Sequence, residues 1–307
     1  MAQKRIKDYG ASVRERLLQL SRKTDRSFDA VLRLYCQERF LYRLSISPYR
    51  KNFILKGGLL FFSLSIPVRR PTVDIDFLGI ELTDNPKKLK TIFTEIARIA
   101  CQDGIEYHPT QMSIERIKEG TDFTGSRIII PAILAKARVS LQIDVAFGDV
   151  VTKGPRVFEF PTLLDLPKPS IFAYSMETMI AEKFQAIVER QTATSRMKDF
   201  FDIACLSEVM PFDGNELLET FAKTFKRRGA GAGRAESVFS AEFASNPGLT
   251  SLWKGFLARN RLAYSDDFTI VMKTIRNFLE PVVNETCKNR SWDNKKNAWL
   301  PQIASNS

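Results

Sequence analysis

The segment Thr72-Val73-Asp74-Ile75-Asp76-Phe77 constrains the fold more than any other part of the chain. Apolar and β-branched residues alternate with two aspartates, the period of a strand whose two faces differ in chemistry. Asp74 and Asp76 fall on one face, with Val73, Ile75 and Phe77 on the other, toward a core. Two carboxylates side by side repel unless a cation stands with them. Carboxylate oxygens suit Mg²⁺, with Mn²⁺ as the alternative ion. A second alternating run, Val139-Ser140-Leu141-Gln142-Ile143-Asp144-Val145, puts Asp144 on the polar face of another strand. On a neighbouring strand, Asp144 completes a carboxylate triad of the kind that holds two metal ions roughly 3.5–4 Å apart. Upstream, Lys56-Gly57-Gly58 precedes a short apolar run, Leu59–Leu64, that reads as a buried helix. Glycine backbone approaches a phosphate with no Cβ in the way, and a helix start turns amides toward an anion. The other reading of the glycine pair is a structural turn. Together these features imply metal-dependent chemistry on a nucleoside triphosphate.

The surrounding pattern is α+β. Residues 10–45 read as two helices, with Thr24, Asp25 and Ser27 supplying cap chemistry between them. An amphipathic helix over Pro86–Gln102 and strands at Met112–Ile117, Arg127–Leu134 and Arg138–Phe147 complete a first domain, residues 1–168. Its mixed sheet is expected to have about four or five strands flanked by helices. Residues 169–285 read as a helical domain and 286–307 as a polar, mobile tail. Ser175 caps a helix whose apolar stripe is Met176, Met179, Ile180, Phe184 and Ile187, and Lys183 falls on that stripe. Such a lysine either snorkels out of the core or is aimed into a polar cleft. In the next helix Asp199 and Asp202 share a face. Asp199 either holds Lys183 or Arg196 in place or answers the helix dipole, with Asp202 in solvent. Arg227–Arg234 is glycine-rich, but no strand precedes it, so it reads as a basic loop and not a dinucleotide fingerprint.

Composition narrows the function classes. Among 307 residues, 46 basic side chains face 35 acidic ones, a net charge of +11 that favours a polyanionic partner such as RNA. The plainer reading of that charge is a solvated surface. Four cysteines lack CxxC spacing and His108 is the only histidine, which argues against a His-centred triad and a zinc site and favours a surface role for His108. The longest apolar stretch, Leu59–Val68, falls short of the ~20 residues of a membrane span. A soluble, cytoplasmic protein without membrane association is expected.

Five segments carry a family resemblance: Glu38-Arg39-Phe40-Leu41-Tyr42-Arg43-Leu44, Phe53-Ile54-Leu55-Lys56-Gly57-Gly58, Arg70-Pro71-Thr72-Val73-Asp74-Ile75-Asp76, Ala181-Glu182-Lys183 and Lys198-Asp199-Phe200-Phe201-Asp202. With Asp144 they resemble the AbiEii/AbiGii-type nucleotidyltransferase toxins of the polymerase-β-like superfamily. The resemblance implies a polymerase-β-like core whose active site the helical domain completes. It implies Asp74, Asp76 and Asp144 as ligands of two Mg²⁺ ions, with Asp144 also assisting the acceptor hydroxyl. Lys56, Gly57 and Gly58 would cradle the phosphates of an NTP, Lys183, Arg70 and Arg196 would neutralise their charge, and Asp199 would orient Lys183. It further implies the toxin half of a bacterial toxin–antitoxin or phage-defence system, with a cognate antitoxin. The acceptor would be RNA, the 3′ end of tRNA, and translation would stop. Transfer to a protein or small-molecule hydroxyl and a catalytically silent NTP- or RNA-binding module are the alternatives. Leu59 stands where the family carries a small hydroxyl residue, which leaves phosphate contact there to backbone amides.

Overall fold

The computed structural model describes residues 8–64, 70–119, 123–148, 154–228 and 232–302. Backbone contacts divide the chain into two units. One comprises Met1–Leu64, Pro71–Val150 and Pro155–Tyr174, the other Ser65–Arg70, Val151–Gly154 and Ser175–Ser307.

In the first unit, Asp8 accepts from the Ala11 N–H and Ser27 from the Ala30 N–H. Each satisfies an otherwise orphaned amide and so starts a helix, α1 (Tyr9–Lys23) and α2 (Phe28–Ser45). Then follow β1 (Phe53–Lys56), α3 (Gly57–Ser63), β2 (Asp74–Gly79), α4 (Pro86–Arg98), β3 (Ile105–Tyr107), β4 (Ser113–Glu119), β5 (Phe123–Leu134), β6 (Ala137–Phe147), β7 (Arg156–Glu159) and β8 (Ser170–Ala173). Among the described residues these strands form one eight-stranded sheet in the order β3-β5-β6-β2-β1-β8-β7, with β4 paired to β5. The sheet is mixed, because β2 runs parallel to β6 and β1 parallel to β8 while the remaining pairs are antiparallel. Ile75, Phe77, Ile128, Ile130, Ile143 and Val145 are fully buried on one face. Phe40 of α2 and Phe93 of α4 stack 6.0 Å apart there, and Phe53 packs 5.2 Å from Phe93 and 5.5 Å from Phe77. The apolar alternation of β2, β5 and β6 is thus spent on one aromatic-rich core, which turns their polar positions to the opposite face.

The sheet has more strands than the alternation predicts. β1, β3, β7 and β8 are three or four residues long. All of β1 is buried, so it shows no period to read. Val73 was expected in the core but precedes β2 and is 48% exposed, while its carbonyl accepts from Gln37 Nε2 at 2.8 Å.

Glu38 of α2 is buried and its Oε2 accepts the Leu163 N–H at 2.7 Å, while Arg39 donates to the Pro167 carbonyl at 2.9 Å. The two side chains therefore fasten the segment between β7 and β8 onto α2. Burial raises the Glu38 carboxyl from 4.5 to about 7, against the lowering effect of Arg39. A raised acid binds its proton more tightly in the folded chain, so its contribution to stability is lost as pH rises from about 4.5 to about 7. Glu38→Gln is expected to remove that slope, a difference on the order of 1–3 kcal/mol between pH 5 and pH 7.5 in urea unfolding. Parallel pH profiles for the two proteins would refute it.

The second unit contains α5 (Met176–Arg190), α6 (Met197–Val209), β9 (Phe212–Asp213), α7 (Gly214–Arg228), α8 (Ala232–Val238), α9 (Ala241–Ala244), α10 (Pro247–Asn260), α11 (Phe268–Val283), β10 (Arg290–Asp293) and β11 (Ala298–Pro301). Ser175 caps α5 by accepting from the Thr178 N–H. The segment expected as a polar tail is instead, as far as Pro301, a hairpin that joins β9 in a three-stranded sheet. The reason is its two tryptophans. Trp292 and Trp299 face each other across the hairpin, pack on Phe278, and donate their indole N–H groups to the carbonyls of Ser207 and Phe278. Of the expected basic loop, residues 229–231 lie outside the described residues, and Gly233 and Arg234 belong to α8. No helix among the described residues is long and apolar enough to cross a membrane.

Candidate active site

Strand register places four charged residues in one row across the first unit's sheet. Lys56 of β1 pairs with Asp76 of β2, Asp76 with Asp144 of β6, and Asp144 with Arg127 of β5. Directly paired residues point to the same face. The row therefore reads cation, carboxylate, carboxylate, cation, on the face opposite the aromatic core. Asp74 lies one pleat along, beside Gln142. Asp74 and Asp76 are half-buried, whereas Asp144 is buried. Lys56 is buried at one end of the row, with its ammonium 5.9 Å from the centre of the Tyr174 ring. At the other end Arg127 grips Asp144 as a fork, Nε to Oδ1 at 2.8 Å and Nη2 to Oδ2 at 2.7 Å.

Gly57 opens α3 with φ +71°, and a Cβ on it would lie 2.0 Å from Asp76 Oδ2. The glycine thus makes room for the Asp76 carboxylate. Gly58 follows it buried, and Leu59 is fully buried, which commits that side chain to the core. Gly57→Ala has to shift Asp76 and also strains the backbone. The expected result is a loss of about 1–3 kcal/mol in stability. Urea unfolding of the variant beside wild type measures it, and an unchanged midpoint would refute it.

The donor chemistry of Asp74 and Asp76 suits Mg²⁺, two carboxylates on one strand face with their third potential partner in register. Among the described residues, however, no three His, Cys, Asp or Glu side chains are gathered into a set that can hold a metal ion. The third carboxylate of the expected triad, Asp144, has both oxygens engaged by Arg127.

A second cluster lies within the second unit. Lys183 of α5 is buried, with Nζ 2.9 Å from Asp199 Oδ1 and 2.7 Å from Asp202 Oδ2. Arg70 holds both oxygens of Asp202 at 2.7 Å, and Arg196 Nε stands 2.5 Å from Asp199 Oδ2. Both aspartates are fully buried on one face of α6. Burial alone would raise their carboxyl groups, but Lys183 and Arg196 beside Asp199, and Arg70 and Lys183 beside Asp202, hold both below the usual carboxylate range. Burial would likewise lower the Lys183 ammonium, yet the two carboxylates raise it. Lys183 is therefore a fixed cation and does not snorkel. Asp202, read as the solvated member of its pair, is as buried as Asp199 and holds two cations.

The structure thus gathers Lys56, Gly57, Asp76 and Asp144 in one unit and Arg70, Lys183, Arg196 and Asp199 in the other. Sequence reasoning missed Arg127 and the weight of Asp202. The spacing of Asp202 from Asp199 between apolar neighbours was a legible signal. Arg127 had none, because only strand register brings it to Asp144.

The profile of the family described as nucleotidyl transferase AbiEii toxin, Type IV TA system, matches residues 39–281, well over half of the chain. None of the curated proteins matches. Among solved structures, the crystal structure of JHP933 from Helicobacter pylori aligns with a TM-score of 0.46 at 16% identity, covering 85% of this chain and 97% of that one. A second H. pylori protein, assigned provisionally as a nucleotidyltransferase, aligns with a TM-score of 0.42 at 15% identity, covering 80% and 93%.

Proposed function

The chain belongs to the AbiEii nucleotidyltransferase toxin family, and on that premise we propose that it transfers a nucleoside monophosphate from an NTP to the 3′ end of tRNA in a Mg²⁺-dependent reaction that blocks translation. A nucleotidyltransferase toxin of a toxin–antitoxin system is what the family establishes, with an NTP substrate and an antitoxin partner. The observation that carries the finer reading is the cross-strand row Lys56–Asp76–Asp144–Arg127 with Asp74 beside it. Asp74 and Asp76 would hold both ions, and Asp144 would bind the catalytic one and assist the acceptor hydroxyl. Bound there, Mg²⁺ lowers the pKa of that hydroxyl and offsets charge on the triphosphate and the departing pyrophosphate. Lys56, at the buried end of the row, and the backbone at Gly57 and Gly58 serve the phosphates. Lys183, with Arg70 and Arg196, is the cation cluster that the family resemblance assigns to the same reaction, and Asp199 and Asp202 keep Lys183 rigid within the second unit. The net charge of +11 supports an RNA acceptor, through the counterions released when phosphates are bound. Such a toxin acts in the cytoplasm, where tRNA is, and phage defence is the setting this activity fits.

The test is incubation of the purified protein with total tRNA, Mg²⁺ and each labelled NTP in turn, with Asp76→Asn as control. Label entering tRNA with wild type and not with the variant is the expected result. Label on protein would move the acceptor to a protein hydroxyl, and an absence of both label and pyrophosphate release would overturn the transfer reading.

A further inference from the structure

We propose that Arg127 gates Asp144: the guanidinium holds this carboxylate until the triphosphate draws it away, so that Asp144 joins Asp74 and Asp76 in binding the divalent cation only with nucleotide present. The inference rests on the site reading given above and adds an order of events to it.

The argument begins with a contrast among forked Arg–Asp pairs. Arg43 and Asp103 are sealed together, their side chains 3% and 2% exposed. Arg70 and Asp202 are nearly as closed, at 9% and 0%. Arg127 and Asp144 have the same fork but differ in access, the aspartate 9% exposed and the arginine 33%. A sealed pair opens only by leaving charges unpaired in the interior, at a cost of several kcal/mol. The Arg127 side chain is the more exposed of the two, so it can swing out on its flexible stem without opening the core.

The second strand of the argument is competition. Asp144 offers one negative charge, and Arg127 engages both of its oxygens. A divalent cation at Asp76 and Asp144 would repel a guanidinium held against the same carboxylate. The negative charge of Asp74 also favours the Arg127 cation. What releases it has to be a stronger anion with matching geometry. Phosphate oxygens take a guanidinium bidentately, as a carboxylate does, and a triphosphate carries several negative charges. Lys56, at the other end of the row, is buried and is less free to move. Arg127 is thus a positioning residue that couples nucleotide binding to cation binding. Because such coupling is reciprocal, NTP tightens the cation and the cation tightens NTP.

The experiment is Mn²⁺ titration of the full chain by calorimetry, with and without a non-hydrolysable α,β-methylene NTP analogue. Wild type is expected to bind Mn²⁺ more tightly with the analogue. Without it, Arg127→Gln is expected to bind Mn²⁺ about tenfold more tightly than wild type, with most of the response to the analogue lost. Adding Asp144→Asn to that variant should cancel the gain. Unchanged or weaker Mn²⁺ binding by a folded Arg127→Gln protein would overturn the proposal. Should that variant melt at the assay temperature, Arg127→Lys, which keeps the charge and loses the fork, decides: tighter Mn²⁺ binding supports the gate and unchanged binding sinks it. Asp76→Asn separates the two readings, since Mn²⁺ binding indifferent to Asp76 would remove the metal site itself and not merely its gate.

Discussion

Asp76→Asn is expected to give a folded protein whose nucleotidyl transfer is lower by about 10³-fold or more. Asn has nearly the shape of Asp, so it can occupy the space beside Gly57 that the missing Cβ leaves. What changes is one negative charge and one hard anionic ligand, and amide oxygen is a weaker donor to Mg²⁺ than carboxylate. Folding should not suffer. Asp76 is half-buried and stands next to Asp144 in the register, so removing its charge relieves like-charge repulsion there. Against that gain stands a weaker attraction to Lys56, its partner on β1. The two changes oppose each other, and stability should stay within about 1 kcal/mol of wild type. Thermal unfolding and labelled-nucleotide transfer on one preparation check both halves. A folded variant that retains transfer to within tenfold would remove Asp76 from the chemistry.

Asp202→Ala has the largest expected effect on stability. The residue is fully buried, accepts a two-pronged bond from Arg70 and lies 2.7 Å from Lys183 Nζ. Its removal takes the bidentate partner from Arg70 and leaves Asp199 as the only member of the acid pair on Lys183, with the cations still buried. Breaking a buried pair in this way costs about 3–5 kcal/mol, because Arg70 and Lys183 lose a carboxylate that offsets their charge out of water. That is a large share of a total stability of roughly 5–15 kcal/mol. The pH dependence has a definite sign. Asp199 and Asp202 are held below the ordinary carboxylate range, so their contribution is present above the unfolded value of about 3.9. It is lost as pH falls through their folded values. The destabilisation by Asp202→Ala should therefore be largest near neutrality and shrink in strong acid, the opposite of the Glu38 trend. Urea unfolding at pH 7 and pH 3 measures it, and a cost below 1 kcal/mol at pH 7 would show that the cluster does not hold the unit together.

Several of these features are legible in the sequence. The alternation in Asp74–Phe77 and Leu141–Val145 fixed which residues face a core, because a strand has period two and an aspartate cannot be buried among phenylalanines without a partner. Helix starts at Ser27 and Ser175 were legible for a similarly local reason, since a hydroxyl that caps an amide needs only its neighbours three residues on. Lys183 and Asp199 were legible as candidates because a charge on an apolar stripe demands compensation. The closing hairpin was missed since its stretch is mostly polar, and the two tryptophans that bury it meet only through the register of the hairpin.

The carboxylate strands, the capped helices and the family to which the chain belongs are written in the amino-acid sequence. These depend on local period and on residue types at fixed spacing. Tertiary structure alone decided which charges meet. Arg127 reaches Asp144 through an antiparallel register, Lys56 reaches Asp76 through another, and Arg70 reaches Asp202 from 132 residues away. Such pairings follow from strand register and the packing of distant segments, and the free energy that selects them is spread over the core, so no local stretch of sequence records it.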